Sequence, residues 1–201
     1  MTLSPAPTTA DRILDVAERL AQTRGFNGFS YADIAAEVGV TKASLHYHFP
    51  TKAELGRALV VRYAGRFQSA IAAIAASGDD ADAKLDRYVH IYQQVLGADR
   101  MCLCGMLAAE FATLPEPIQQ ELRNYFDANE RWLVGVLEAG RRDGSLRFAG
   151  SARDVAGLLT GALEGAMLLA RSYRDDARFG AAAEQLLGTL AGHAPGHTGR
   201  R

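Results

Sequence analysis

Six side chains within eleven residues are the ones best suited to chemistry with another molecule: Lys42, Ser44, His46, Tyr47, His48 and Lys52. Hydroxyl, imidazole and ammonium groups are the donors and acceptors that meet phosphate oxygens and base edges of nucleic acid. Leu45 and Phe49 are interleaved with them and read as inward anchors. Lys42, at the start of its helix, is placed to reach a guanine edge, while Tyr47 and Lys52 are placed to clamp phosphates. Two helix starts here also offer free N–H groups to phosphate. With Thr41, Ala43 and Thr51 added, the candidate DNA-contacting set is Thr41, Lys42, Ala43, Ser44, His46, Tyr47, His48, Thr51 and Lys52.

The elements that must hold these residues are legible around them. From Ser30 to Lys52 the chain reads as a short helix, a turn through Gly39, a second short helix and the capped start of a third. Ser30 caps the first, with Asp33 at capping-box spacing. Thr41 caps the second, which Phe49-Pro50 ends, and Thr51 caps the third. Ile34, Ala35, Val38, Val40, Leu45 and Phe49 supply one apolar face. This is the organisation of a helix-turn-helix, whose second helix enters the major groove.

Upstream, residues 1–8 read as a flexible arm, and Thr9 caps a helix from about Ala10 to Arg24, stopped by Gly25. Downstream, a long helix runs from Thr51 to about Ala76, and Ser77-Gly78-Asp79-Asp80 breaks it. Further helices are expected over about Asp82–Leu96, Met101–Ala112, Pro117–Arg142, Ser151–Tyr173 and from Asp175 or Asp176 to near Ala191, with a disordered tail over 192–201. No segment shows period-two alternation. The chain is therefore all-α: a three-helix helix-turn-helix domain over 9–55, joined by a long helix to a larger helical bundle over 56–191.

Composition sets bounds. The 201 residues are 48% apolar and 22% charged, with a formal net charge of −1, so nucleic-acid binding must come from a local patch. Residues 10–52 carry five basic side chains (Arg12, Arg19, Arg24, Lys42, Lys52) and five acidic ones (Asp11, Asp15, Glu18, Asp33, Glu37). No secretory signal is expected, and no run approaches the ~20 apolar residues of a membrane span. The expected compartment is the cytoplasm. No HExxH, nucleophile elbow or phosphate-binding glycine loop is present. His46 and His48, two apart on a helix, point to different sides and do not share a metal with His90. Neither catalysis nor a cofactor or metal is expected.

Residues 10–59 resemble the N-terminal domain of the TetR family of bacterial transcriptional regulators. Asp33-Ile34-Ala35, Gly39-Val40-Thr41, Leu45, the aromatic and histidine cluster, Phe49 and Thr51-Lys52-x-x-Leu55 carry the resemblance. It departs at one place: the family's tyrosine follows the position of Leu45, where this chain has His46, with Tyr47 next. The resemblance implies a homodimer, a palindromic double-stranded DNA operator and a small-molecule effector held in the C-terminal bundle. Half-sites would then lie about one helical turn (~34 Å), or a multiple of it, apart.

The last two helices fit a partner surface, with Gly157, Gly161, Gly165 and Ala166 among leucines and then Ala181, Ala182, Ala183, Leu186, Leu187 and Leu190. Residues able to line an effector pocket are Tyr63, Tyr88, Tyr92, Cys102, Cys104, Met106, Glu110, Phe111, Tyr125, Trp132, Glu164 and Met167. Glu110 and Glu164 are each a single charge in an apolar helical stretch, where burial is costly without a partner. Cys102 and Cys104, beside a helix start, leave open a sensor of oxidants, electrophiles or soft metals. Small buried apolar packing is the plainer role for both thiols. A protein-interaction module with a vestigial DNA surface, and an activator in place of a repressor, also stay open.

Overall fold

The structure is a computed structural model, and the residues it describes are 6–191. The first five residues of the expected arm and the whole expected tail over 192–201 lie outside the described residues. Among those described there are nine α-helices and no strand. They are α1 (Thr9–Arg24), α2 (Tyr31–Val38), α3 (Lys42–His48), α4 (Lys52–Ala76), α5 (Ala81–Gly97), α6 (Leu103–Ala109), α7 (Glu116–Asp143), α8 (Ala152–Tyr173) and α9 (Ala177–Gly188).

Contacts divide the chain into two compact units. The first holds the chain up to Arg66 together with Arg100–Tyr125, and the second holds Phe67–Asp99 and the chain from Phe126 onward. Residues 100–125 thus cluster by contact with α1–α3 and the first part of α4. The physical reason is local. α6 packs on α1, the Met101 N–H donates to the Gln22 carbonyl at 3.3 Å, and Glu110 caps the turn after α1.

In the first unit the core is Ile13, Ala17, Leu20, Ile34, Leu45, Leu55, Leu59, Leu103, Leu107, Ile118 and Leu122, all essentially inaccessible. Two capping boxes set its frame. Thr8, not Thr9, caps α1: its hydroxyl accepts from the Asp11 N–H at 3.2 Å while the Asp11 carboxylate accepts from the Thr8 N–H at 2.9 Å. Asp11 lies three residues past Thr8, so the reciprocal pair closes there and the helix starts one residue early. Ser30 and Asp33 repeat the device on α2. At the end of α2, Gly39 adopts φ 75° and ψ 39°, and its N–H and that of Val40 both reach the Ala35 carbonyl at 3.0 Å. That left-handed conformation favours glycine and turns the chain into α3.

In the second unit α5, α8 and α9 pack together around Leu85, Tyr88, Tyr92, Ala156, Leu159, Leu163, Met167 and Phe179. α9 stops at Gly188 rather than Ala191, because Leu190 and Ala191 leave the helix: Arg147 N–H donates to the Leu190 carbonyl and Ala191 bridges Leu146. α6 is likewise shorter than the apolar run that encodes it, with Met101-Cys102 before it and a 3-10 turn (Phe111–Thr113) after it. α8 is long and apolar enough to meet the length and composition of a membrane span, contrary to the sequence expectation, although over a third of its apolar window is buried in its own bundle.

Candidate nucleic-acid interface

α3 is a two-sided helix. Leu45 is fully buried, while Lys42, Ala43, His46 and Tyr47 are exposed and Ser44 and His48 are partly so. Tyr47 stands out most, with 84% of its surface accessible. Its ring meets His48 edge-on at 5.3 Å. Thr41 caps α3 by accepting from the Ser44 N–H at 3.1 Å, and Thr51 caps α4 by accepting from the Glu54 N–H at 3.1 Å. Both hydroxyls thus shape helix ends and sit at the surface that the other candidates share.

The end of α3 is pinned by two rings. Tyr31 donates its hydroxyl to the Phe49 carbonyl at 2.8 Å. Burial, aided by the charge of Glu54, pushes that hydroxyl up to about 12, so it stays a donor at any ordinary pH. His46 lies 4.7 Å from the Tyr31 ring, and its Nδ1 is 3.1 Å from the Pro50 carbonyl. A carbonyl only accepts, so Nδ1 carries the hydrogen and the neutral ring keeps Nε2 as an acceptor. A tyrosine at the same place would offer a hydroxyl donor instead.

Lys52 corrects the sequence reading. Its ammonium does not point outward as a phosphate clamp; it donates to the Phe29 carbonyl and sits over the rings of Phe26 at 4.8 Å and Phe29 at 4.5 Å. Burial lowers its pKa, while Glu110 and Asp33 hold it up. Lys52 therefore binds α4 to the loop between α1 and α2 through cation–π contact. Glu110 grips the same loop from α6. Its carboxylate accepts from the Phe26 N–H at 2.8 Å and the Asn27 N–H at 3.1 Å, and Asn27 Nδ2 donates to Thr113 Oγ1 at 2.8 Å. A Cβ on Gly25, whose φ is 84°, would fall 2.4 Å from Glu110 Oε1. Glycine is what lets the carboxylate in.

The even charge count also resolves. Asp15 and Glu18 of α1 pair with Arg62 and Arg66 of α4. Glu37 pairs with Arg19, Asp33 is held by Ser30, and Arg12 donates to the Val38 carbonyl at the end of α2. α3 itself carries no carboxylate, so its exposed face is locally cationic and rich in donors.

The effector candidates fall into two groups. In the first unit, Cys102 Sγ lies 3.6 Å from the Tyr63 hydroxyl and 3.9 Å from that of Tyr125, with Cys104 also buried and Met106 and Phe111 partly exposed. Glu110, expected as a possible ligand, has its carboxylate on the loop N–H groups instead. In the second unit, Tyr88 bonds Tyr92 at 2.9 Å and stacks on Trp132 at 5.5 Å, while Met167 is buried and the charge of Glu164 bears on Tyr88. Sequence reasoning missed Asn129, which is fully buried and donates to Tyr88 at 2.9 Å. Its signal was present: an amide on the apolar stripe of α7, three residues before Trp132. Among the described residues, no three His, Cys, Asp or Glu side chains converge as a metal site.

A two-sided recognition helix on a capped turn, set into an all-helical chain, defines a helix-turn-helix transcriptional regulator. Residues 13–59 match the family described as bacterial regulatory proteins, tetR family, and residues 81–186 match the tetracyclin repressor-like C-terminal domain. The chain belongs to the TetR family. The HTH-type transcriptional repressor KstR2 of Rhodococcus jostii (strain RHA1) is 30% identical over 164 residues, covering 73% of this chain and 75% of its own. A TetR-family regulator from Agrobacterium tumefaciens is 37% identical with a TM-score of 0.88, over 91% of this chain and 97% of that one. A TetR regulator from Legionella pneumophila is 32% identical with a TM-score of 0.84, over 94% of this chain and all of the other.

Proposed function

We propose that this regulator is a repressor that binds a palindromic operator as a homodimer in the cytoplasm and is released when a small molecule enters its C-terminal bundle. In this reading residues 9–55 carry DNA binding and residues 56–191 carry effector binding and dimerisation. The observation that supports it most is the outward face of α3, where Lys42, Ser44, His46 and Tyr47 lie on a helix that carries no carboxylate of its own while Leu45 anchors it. Lys42 reads a base edge; Tyr47 and His48 contact phosphate; Thr41, Ala43 and Thr51 line the backbone path. Lys52 positions the reading helix from behind.

A second copy of the chain suits the exposed stripe of α8. Leu158, Leu168, Leu169 and Tyr173 are 50–63% accessible, and a Cβ on Gly161 or Gly165 would meet nothing within 4 Å. Small residues between exposed leucines let a partner helix approach closely. α8 is apolar on most sides because one face packs in its own bundle and another is left for the partner.

Selection of bound duplexes from random DNA tests the reading. A two-fold consensus, with binding that weakens steeply as salt rises, supports it. No enrichment would leave a protein-interaction module as the account of the fold. The position of the selected site relative to promoter elements separates a repressor from an activator. A sensor role for Cys102 and Cys104 draws on the two phenol hydroxyls beside Cys102 Sγ, which can donate to a thiolate. Release of the selected DNA by oxidants, electrophiles or soft metals that persists in the Cys102→Ser/Cys104→Ser variant would end that role.

A further inference from the structure

His46 stands where the family pattern has a tyrosine, and one of its two ring nitrogens is already engaged. Nδ1 lies 3.1 Å from the Pro50 carbonyl. That oxygen only accepts, so Nδ1 carries the ring hydrogen. The Tyr31 ring rests against the imidazole at 4.7 Å, with the two planes tilted by 48°. Nε2 sits on the opposite edge of the ring from Nδ1 and so faces away from Pro50. It keeps a lone pair with no hydrogen-bond partner among the described residues, on a side chain that is exposed.

The DNA groups that such an acceptor can meet are few. A phosphate oxygen is itself an acceptor, and two lone pairs facing each other repel. A neutral His46 is therefore a poor phosphate clamp, although a tyrosine hydroxyl at the same place would be a good one. In the major groove guanine presents N7 and O6, and thymine presents O4 and a methyl group, so neither supplies a donor. Adenine N6 and cytosine N4 do supply one. His46 lies one turn after Lys42 on α3, and both are exposed. Residues four apart share a helix face, so this face sets a donor and an acceptor side by side.

We propose that His46 is a base-reading residue: with its Nδ1–H held by Pro50, it accepts through Nε2 from an exocyclic amino group, adenine N6 or cytosine N4, at one position of each half-site. The inference rests on the reading that α3 faces the operator. It adds a second base-reading side chain beside Lys42, at the position where this chain departs from the family.

Duplexes selected from random DNA by the intact protein and by His46→Phe supply the test. Phenylalanine keeps a ring against Tyr31 and removes both nitrogens; His46→Ala takes its place if the larger ring disturbs α3. The wild type should select adenine or cytosine at one half-site position that the variant leaves unselected, and the consensus says which. Replacing that adenine by purine, or that cytosine by pyrimidin-2-one, then deletes only the amine. In anisotropy titrations this deletion in one half-site should cost the wild type about tenfold in affinity, which is about 1.4 kcal/mol. The variant should lose far less, and the difference is the coupling that a double-mutant cycle reads.

A second readout is the sign of the pH dependence. Acidification from about pH 7.5 to about pH 5.5 charges imidazoles and turns an acceptor nitrogen into a donor. Wild-type affinity for the consensus should fall relative to that of the variant. The other charged or titratable groups near the ring are Lys42, His48, Tyr31 and, through Tyr31, Glu54 of α4. All are common to both proteins, so the difference isolates His46. Binding that tightens in acid relative to the variant would make His46 a protonated phosphate clamp and overturn the inference. So would the same base preference in both proteins, or an equal loss from the missing amine. No enriched duplex at all would remove the operator reading itself, and this inference with it.

Discussion

Lys42 and Lys52 are the same residue type ten positions apart, and their surroundings give them opposite work. Lys42 is exposed at the start of α3, whereas Lys52 caps a carbonyl and covers two phenylalanine rings. Lys42→Ala should weaken operator binding, relax preference at one position per half-site and reduce the slope of log affinity against log salt by about 1 wherever a phosphate contact is lost. Its unfolding free energy should not move. Lys52→Ala should instead lower stability by about 1–2 kcal/mol, from one hydrogen bond and two partly exposed cation–π contacts. Urea unfolding beside anisotropy titrations separates the two, and a Lys52→Ala variant of unchanged stability with a reduced salt slope would restore it as a phosphate contact. Glu110 has a similar inward job. Glu110→Ala strands the N–H groups of Phe26 and Asn27 and should cost about 1–3 kcal/mol.

At the scale of elements, the reading helix is held by short-range devices that depend on ionised aspartates. Asp11 and Asp33 have their carboxyls drawn below the ordinary 3.8, first by the hydroxyl of Thr8 or Ser30 and then by the same residue's N–H. A depressed folded value means a stabilising contribution that is full above about pH 4 and lost as the carboxyl protonates below it. Thermal unfolding followed from pH 6 to pH 3 should therefore show a falling midpoint at the acid end. Asp11→Asn and Asp33→Asn should flatten that fall while lowering the midpoint at neutral pH. A variant that keeps the full acid-side fall would place its origin elsewhere. Both groups are exposed, so each effect should be small.

At the scale of the molecule, the proposed interface along the α8 stripe would tie assembly to DNA binding. Leu169→Glu puts a charge where two copies would meet, and an uncompensated buried charge is strongly unfavourable. Sedimentation should show monomers, and affinity for a palindromic duplex should fall steeply because two linked heads bind far better than one. A dimer that survives Leu169→Glu and Leu168→Glu would move the interface off this stripe.

The sequence determined the elements and the reading head, because their signals are local. Ser30 with Asp33, Thr41, Gly39 and Thr51 act within four residues, so helix-turn-helix geometry and the buried side of α3 at Leu45 could be read directly. The family resemblance rested on the same stretch. What tertiary structure decided was where long side chains end. Lys52 turns inward because Phe26 and Phe29, more than twenty residues earlier, fold against it. Glu110 is satisfied by N–H groups more than eighty residues away. The segment 100–125 joins the N-terminal unit through contacts that chain order does not contain. The buried role of Asn129 became visible once Tyr88 of another helix had met its amide. A helix cap is encoded by neighbours in the chain; the partner of a flexible charged or polar side chain is set by which distant elements pack beside it.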